Sequence, residues 1–197
     1  MKLQDKNQYW SEHFAGLDVS GEAIAATEFD GCSFTECNFS DAAFKRCNFV
    51  DCEFLRCNLS LATVDYCRFS DVRFRDSKLI GIDWTKVSWS QFGFSPLKFF
   101  KCLVNDANFY GLALPEIVFE ECRAHNVDFR EADLSKASFC YTDLSGSLFA
   151  RTNLSGADFS EATDYDIDIY QNTIKGARFS RFEALRLLDC LDIELVD

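Results

Sequence analysis

The chain has 197 residues and a net charge of −12 at pH 7. This charge argues against direct binding to nucleic acid, because phosphates repel an anionic surface. No apolar run approaches the ~20 residues that a membrane span needs, and the first residues lack the apolar segment of a signal peptide. We therefore expect a cytoplasmic protein without a membrane partner, whose ten cysteines stay reduced.

Residues 1–13 are predicted to form an N-terminal cap on a repeat array. The first turn of such an array exposes its core and its strand edges unless another segment covers them. Trp10 and Phe14 are the large apolar residues that could close this end. The repeat itself is predicted to begin at Phe14 and to run over residues 14–181.

From Phe14 to Phe179 a large apolar residue recurs at every fifth position, except at Ala124 and Asp164. We call this residue the centre of a pentapeptide and number its neighbours from −2 to +2. The residue at −2 is usually small, as at Cys47. A strand alternates sides with a period of two, and five is odd. The chain must therefore turn once in every repeat to keep the centre and the −2 residue inside.

The repeat appears as CNFVD at Cys47–Asp51, ADLSK at Ala132–Lys136 and ADFSE at Ala157–Glu161. In this motif, over about residues 14–181, the chain resembles the pentapeptide-repeat proteins. The resemblance implies an all-β fold, a right-handed quadrilateral parallel β-helix. Four pentapeptides would form one coil of 20 residues, and successive coils would stack about 4.8 Å apart.

Centres that are 20 residues apart are expected to form columns in such a fold. One predicted column consists of Phe34, Phe54, Phe74 and Phe94, and another of Phe29, Phe49, Phe69, Trp89, Phe109, Phe129 and Phe149. The cysteines at −2 are interpreted as small apolar side chains that leave room for the phenylalanines. Four pairs of them would stack one coil apart: Cys32 with Cys52, Cys37 with Cys57, Cys47 with Cys67, and Cys102 with Cys122.

Two stretches depart from the repeat. From Trp84 to Phe100 the residues at −2 become large and Pro96 intervenes. The register then resumes in phase, so any insertion is a multiple of five residues, and a kinked or widened coil is expected. Residues 162–170 contain three aspartates but no glycine-rich calcium motif, so this stretch is interpreted as a solvated acidic corner. The centres are expected to resume there at Ile169.

Residues 182–197 are predicted to form a short C-terminal helix and a tail. Phe182, Leu185, Leu188 and Leu191 recur at intervals of three, which is typical of an amphipathic helix. A helix of about ten residues is marginal in water on its own. These four residues are therefore candidates for a homodimer interface, and the alternative is a helix that caps its own last coil.

No motif in the sequence indicates catalysis or the binding of a metal or cofactor. It contains no glycine-rich phosphate loop, no HExxH or GxSxG motif and no CxxC pair, and its two histidines lack the spacing of a zinc site. A solenoid filled with phenylalanine is also expected to offer no cavity for a substrate. The sequence therefore predicts a protein that is not an enzyme.

The charge is uneven along the chain, with a net −3 over residues 1–98 and −9 over residues 99–197. Residues 14–181 have a net charge of −8, or one charge per about 5 Å of axis against about 1.7 Å in duplex DNA. The array as a whole is thus less densely charged than DNA, and most of its charge lies in the second half. Any mimicry of DNA is therefore expected in the second half only. The candidate partner-binding residues are Asp106, Glu116, Glu120, Glu121, Asp128, Glu131, Asp133, Asp143, Asp158, Glu161, Asp166 and Asp168.

Four of these acids, Asp128, Asp133, Asp143 and Asp158, occupy −1 positions. Because −1 positions face outward in the predicted coil, reversal of these four charges is expected to leave the array folded.

Within the family, the chain resembles the branch that protects bacterial type II topoisomerases from poisons. This branch includes the Qnr, MfpA, microcin B resistance and albicidin-resistance proteins. The resemblance lies in the size, the long in-phase array, the acidic balance and the terminal helix. It implies a DNA-mimicking homodimer that binds DNA gyrase, with topoisomerase IV as a further partner, and confers resistance or immunity to a topoisomerase poison.

The sequence lacks the out-of-phase loop insertions of the Qnr proteins, so the resemblance does not specify the poison. The alternative function is that of a generic protein-interaction scaffold with the same fold and no topoisomerase partner.

Overall fold

The computed structural model describes residue 3 and residues 6–89, 97–191 and 193–194. Over these residues the chain forms a parallel β-solenoid of about eight coils that ends in a short helix. The strands contain only two to four residues, because each side of a coil is one pentapeptide long and a corner follows it.

The strands are β1 (Gln8–Trp10), β2 (His13–Ala15), β3 (Ala23–Ala25), β4 (Glu28–Asp30), β5 (Ser33–Thr35), β6 (Ala43–Lys45), β7 (Asn48–Val50), β8 (Glu53–Leu55), β9 (Thr63–Asp65), β10 (Arg68–Ser70), β11 (Val72–Arg75), β12 (Leu97–Phe100), β13 (Val118–Glu120), β14 (Leu148–Phe149), β15 (Asp158–Phe159), β16 (Asp166–Ile167) and β17 (Arg178–Phe179). Two 3₁₀ helices comprise Trp84–Lys86 and Glu183–Leu191.

Four faces surround the core, and each is defined by a column of centres. Face A contains Tyr9, Phe29, Phe49 and Phe69, then Leu114, Leu134, Leu154 and Ile174. Face B contains Phe14, Phe34, Phe54, Phe74, Phe99, Phe119, Phe139, Phe159 and Phe179. Face C contains Val19, Phe39, Leu59, Leu79, Val104, Ala124 and Leu144. Face D contains Ile24, Phe44, Val64, Trp84, Phe109, Phe129, Phe149 and Ile167.

All strand pairs are parallel, and most join residues 20 positions apart. This register confirms the predicted parallel β-solenoid with four pentapeptides per coil. The right-handed sense implied by the family resemblance stays a prediction.

One coil contains 25 residues rather than 20, and this changes the predicted columns. Phe74 pairs with Phe99, so the insertion is five residues long, a multiple of five as predicted. The predicted column member Phe94 lies outside the described residues, as do residues 90–96, on which the expected kink or widening falls.

An added pentapeptide moves every later centre to the next face. The prediction that Phe109 continues the column of Phe69 is therefore wrong. Phe109 instead stacks on Trp84, with 5.8 Å between the ring centroids.

The residues at −2 form hydrogen bonds as well as filling space. All ten cysteines are free, and the eight at −2 are buried. The thiol of Cys52, for example, donates to the carbonyl of Phe29 at 3.4 Å. Ser77, at an equivalent position, donates to the carbonyl of Phe54 and accepts the N–H of Cys57 at 3.0 Å. The interpretation of these thiols as purely apolar is therefore incomplete, because they also bind backbone groups at the corners.

The ends of the array differ from the predicted boundaries. Tyr9 is fully buried and stacks on Phe29 with 5.3 Å between ring centroids, so the aromatic columns begin before Phe14. Trp10, the expected cap, is 61% exposed. In the last coil Tyr165 and Ile167 are buried, whereas the expected centre Ile169 is half-buried. The charge of Asp164 opposes burial, and the next aromatic residue, Tyr165, lies inside instead.

Replacement of Phe119 by alanine is expected to reduce the free energy of unfolding by roughly 3–5 kcal/mol, as for other buried aromatic truncations. Phe119 is fully buried between Phe99 and Phe139, whose ring centroids lie 4.8 and 5.5 Å away. Phe69 is half-buried, so Phe69→Ala, the control, should cost less. Denaturant unfolding of both variants measures the difference, and equal losses would contradict the burial pattern.

Candidate partner-binding surface

The twelve candidate acids lie on all four faces of the second half of the array. Their pentapeptides place Glu116 and Asp133 on face A, Glu120, Glu121, Asp158 and Glu161 on face B, Asp106 and Asp143 on face C, and Asp128, Glu131, Asp166 and Asp168 on face D. The acidic surface is therefore a ring around the solenoid and not a patch on one side.

The four aspartates at −1 are part of the backbone structure. Each carboxylate accepts the N–H of the residue two positions later, at distances of 2.9–3.1 Å. Asparagines at −1, such as Asn58 and Asn153, do the same. This Asx turn satisfies a backbone donor at the corner. Reversal of the charge of Asp128, Asp133, Asp143 and Asp158 would therefore also remove hydrogen bonds that hold the corners.

These hydrogen bonds lower the pKa values of Asp128 and Asp158. The Arg130 guanidinium holds the pKa of the Asp128 carboxyl below its ordinary value, with the Arg130 backbone N–H acting in the same direction. At Asp158 burial raises the pKa, but hydrogen bonds from Ser160 outweigh it and the pKa is lowered. Both carboxylates therefore stabilise the folded state more when they are ionised than when they are protonated.

Five of the twelve acids form ion pairs with lysine or arginine: Glu116–Lys136, Glu121–Lys101, Asp128–Arg130, Glu131–Arg151 and Asp158–Arg178. Asp143 contacts the His125 ring at 2.7 Å, which is an ion pair only when the imidazole is protonated. The other six, Asp106, Glu120, Asp133, Glu161, Asp166 and Asp168, have no ion-pair partner in the described part of the chain. A long-range field toward a partner comes mainly from these unpaired charges.

The C-terminal helix has three distinct stripes. In a 3₁₀ helix residues three apart eclipse one another, so Leu185, Leu188 and Leu191 share one stripe, which Phe182 extends. Phe182 is 85% exposed and Leu185 53% exposed. Leu188 and Leu191 are half-buried. The candidate dimer residues are thus aligned, and two of them face solvent.

A second stripe of the helix attaches it to the solenoid. Leu187 packs against the core, and Ala184 and Cys190, three residues before and after it, are half-buried. On the third stripe Arg186 pairs with Asp164 and Glu183 at 2.7 and 2.8 Å. The sequence did not predict the role of Leu187. A spacing of three identifies the stripes of the helix but does not show which of them packs against the solenoid.

The described residues contain no group of three or more metal-ligating side chains and no helix that is long and apolar enough to cross a membrane. An open groove of about 720 Å³ is lined by residues that include Lys6, Trp10, Glu28 and Arg46. The sequence did not predict this groove. It lies at the surface of the first coils, whereas the core is filled by the aromatic columns.

Comparisons with known families agree with this geometry. A model of the pentapeptide repeat region matches residues 27–109, and a model of eight pentapeptide repeats matches residues 105–139 and 128–163. The chain belongs to the pentapeptide-repeat family. No curated protein matches the sequence of this pentapeptide-repeat protein.

Solved structures share its fold. Trypsin-treated QnrB1, a plasmid-mediated fluoroquinolone resistance protein, superposes with a TM-score of 0.74 at 20% identity, covering 96% of this chain and 100% of that one. A second trypsin-treated QnrB1 structure gives a TM-score of 0.66 at 22% identity, covering 96% of this chain and 92% of that one. HetL, a pentapeptide repeat protein involved in the regulation of heterocyst differentiation in the cyanobacterium Nostoc sp. strain PCC 7120, gives a TM-score of 0.51 at 14% identity, covering 88% of this chain and 85% of that one.

Substitution of Asp158 tests the structural role of the −1 aspartates. Asp158→Ala removes the acceptor for the Ser160 N–H and is expected to cost about 1 kcal/mol of unfolding free energy. Asp158→Asn keeps an acceptor and should cost less, losing only a partly exposed ion pair with Arg178. Equal costs for the two variants would show that the Asx turn is unimportant.

The stability advantage of the parent over Asp158→Asn is expected to decrease at low pH. Because the folded pKa of Asp158 is lowered, its stabilisation is present above the unfolded pKa of about 3.9 and is lost as pH falls through the folded pKa. The advantage of the parent over Asp158→Asn should therefore shrink below about pH 4. Asp41→Asn, at an exposed corner, is the control and should change the free energy of unfolding little both above and below about pH 4.

Proposed function

We propose that this pentapeptide-repeat protein binds bacterial DNA gyrase, with topoisomerase IV as a second target, and confers resistance or immunity to a topoisomerase poison. It would do so as a cytoplasmic homodimer that occupies a basic DNA-binding surface by mimicking DNA. The proposal assigns it no catalysis, no cofactor and no direct contact with nucleic acid.

The ring of acids on all four faces of the second half carries this proposal. Duplex DNA presents its charges around its whole circumference, and a solenoid with carboxylates on four faces can do the same. The fold shared with QnrB1, a plasmid-mediated fluoroquinolone resistance protein, supports the proposed role in resistance. An anionic rod attracts a basic surface over a long range, so the complex should weaken with added salt.

A second candidate is a protein-interaction scaffold with no topoisomerase partner. It is favoured by the ion pairs with lysine or arginine that neutralise five of the twelve candidate acids. HetL, with the same fold, is involved in the regulation of heterocyst differentiation, and the fold alone therefore specifies no target.

Charge reversal at unpaired acids outside the −1 positions tests the proposal. The test variant is Asp106→Lys/Glu120→Lys/Glu161→Lys, because none of these residues forms an ion pair in the described part of the chain. It is expected to weaken gyrase binding at low salt by about tenfold or more, since like charges then face the basic surface. It should also abolish protection in a supercoiling assay with a poison.

The matched control is Asp30→Lys/Asp41→Lys/Asp76→Lys in the first half. Both variants change the net charge from −12 to −6, so only the location of the charge differs. If the two variants bind gyrase equally well, regional DNA mimicry is wrong. If the parent neither binds gyrase nor alters its sensitivity to poisons, the scaffold function is correct.

The homodimer is tested at the exposed stripe of the C-terminal helix. Leu185→Asp places a charge on a side chain that is 53% exposed and should yield monomers in sedimentation velocity without loss of folding. Leu187→Asp, on the stripe that packs against the core, should instead destabilise the end of the array. If the parent protein sediments as a monomer, the homodimer proposal is wrong and the helix only caps its own last coil.

A further inference from the structure

Face D of the last four coils carries a cluster of exposed apolar side chains. Within described residues 97–181, four large apolar residues are exposed: Tyr110, Tyr141, Leu148 and Tyr170. Tyr110 and Leu148 belong to face D, and Tyr170 follows its last centre, Ile167. Together with Arg130 on the same face, we call Tyr110, Leu148 and Tyr170 the Tyr110 patch.

The coil register places Tyr110, Arg130 and Leu148 on successive coils of face D. Tyr110 and Arg130 occupy +1 positions in adjacent coils, and the guanidinium lies 5.8 Å from the tyrosine ring centroid. Leu148 pairs with Asp128 in the coil register and lies one coil beyond Arg130. At about 4.8 Å per coil the patch spans about 14 Å of the axis.

Two side chains of the Tyr110 patch, those of Arg130 and Tyr110, are held in place before any partner binds. Arg130 donates two hydrogen bonds to Asp128, at 2.9 and 2.7 Å. A hydrogen bond to Glu131 raises the pKa of Tyr110, and Glu131 is itself paired with Arg151. Side chains that are already ordered lose little entropy on binding. Tyrosine and arginine are also the residues that most often dominate binding energy at interfaces.

The charges around the Tyr110 patch favour a basic partner. The cations Arg130 and Arg151 are each paired with a carboxylate on the same face. Asp166 and Asp168 remain without cationic partners in the described part of the chain. Face A of the same coils has balanced charges and exposes no large apolar residue among the described residues. β16, on face D, also contacts the C-terminal helix, so the end of face D adjoins that helix.

We propose that the Tyr110 patch is the centre of the contact with a basic protein surface, an assignment that rests on the proposed function and deepens it. A stable interface covers about 800 Å² on each partner, which is more than the patch provides. The acids of the neighbouring corners form the charged rim, which accelerates association, and the patch supplies the short-range contacts that slow dissociation.

The test compares two triple variants that remove the same side chains at different places. The patch variant is Tyr110→Ala/Leu148→Ser/Tyr170→Ala. The control is Leu61→Ser/Tyr66→Ala/Tyr141→Ala, which also removes one leucine and two tyrosines that are 58–64% exposed. Thermal unfolding establishes that both variants are folded, and gyrase binding is measured at low and at high salt.

The patch variant is expected to bind gyrase at least tenfold more weakly than the parent, and the control to stay within twofold. The removed side chains are uncharged, so the loss should be the same factor at both salt concentrations. If the parent binds and both variants bind like it, or both are weakened alike, the patch assignment is wrong and the proposed function stands. If the parent does not bind gyrase, the proposed function is wrong, and the assignment of the patch to that partner is wrong with it.

Discussion

Each pentapeptide must turn the chain through a corner, and this constraint shapes the whole molecule. At the corner the +2 residue adopts a positive φ, as at Leu61 (φ 60°) and Tyr66 (φ 57°), a conformation that costs non-glycine residues roughly 1–2 kcal/mol. The strain is offset by backbone hydrogen bonds between coils, such as Tyr66 N–H to the Lys86 carbonyl at 2.8 Å. It is also offset by stacked aromatic centres inside.

The same corner explains the chemistry at −2 and −1. A corner leaves backbone groups that no strand partner satisfies, and small polar side chains reach them. Ser77 bonds them from the inside and Asp158 from the outside. The acids of the second half therefore fall into two groups. Those at −1 hold the corners, whereas others, such as Glu120 and Glu161, have no ion-pair partner in the described part of the chain and are proposed to face a partner.

The five-residue insertion shows how the solenoid tolerates change. A whole added pentapeptide keeps the centres inside, so the array continues with Phe99 stacked on Phe74 at 5.3 Å between centroids. The outer surface is altered, however, because every later residue moves to the next face. Tyr110 and Arg130 lie on the face of Trp84 for this reason. The surface available to a partner is thus set by the insertion as much as by the repeat.

The sequence by itself determined the period of five and the inward positions, because both depend on local geometry that recurs in every repeat. The parallel coil of 20 residues was implied by the resemblance of the repeat motif to a known family. The sequence also located the terminal helix, since a spacing of three between Leu185 and Leu188 is a local pattern. Only the tertiary structure decided which face each residue occupies, because the face is a cumulative property of all preceding coils and one insertion shifts it. The tertiary structure also decided which cations pair with the carboxylates. Glu131 forms an ion pair with Arg151 only because the coils bring residues 20 positions apart into register.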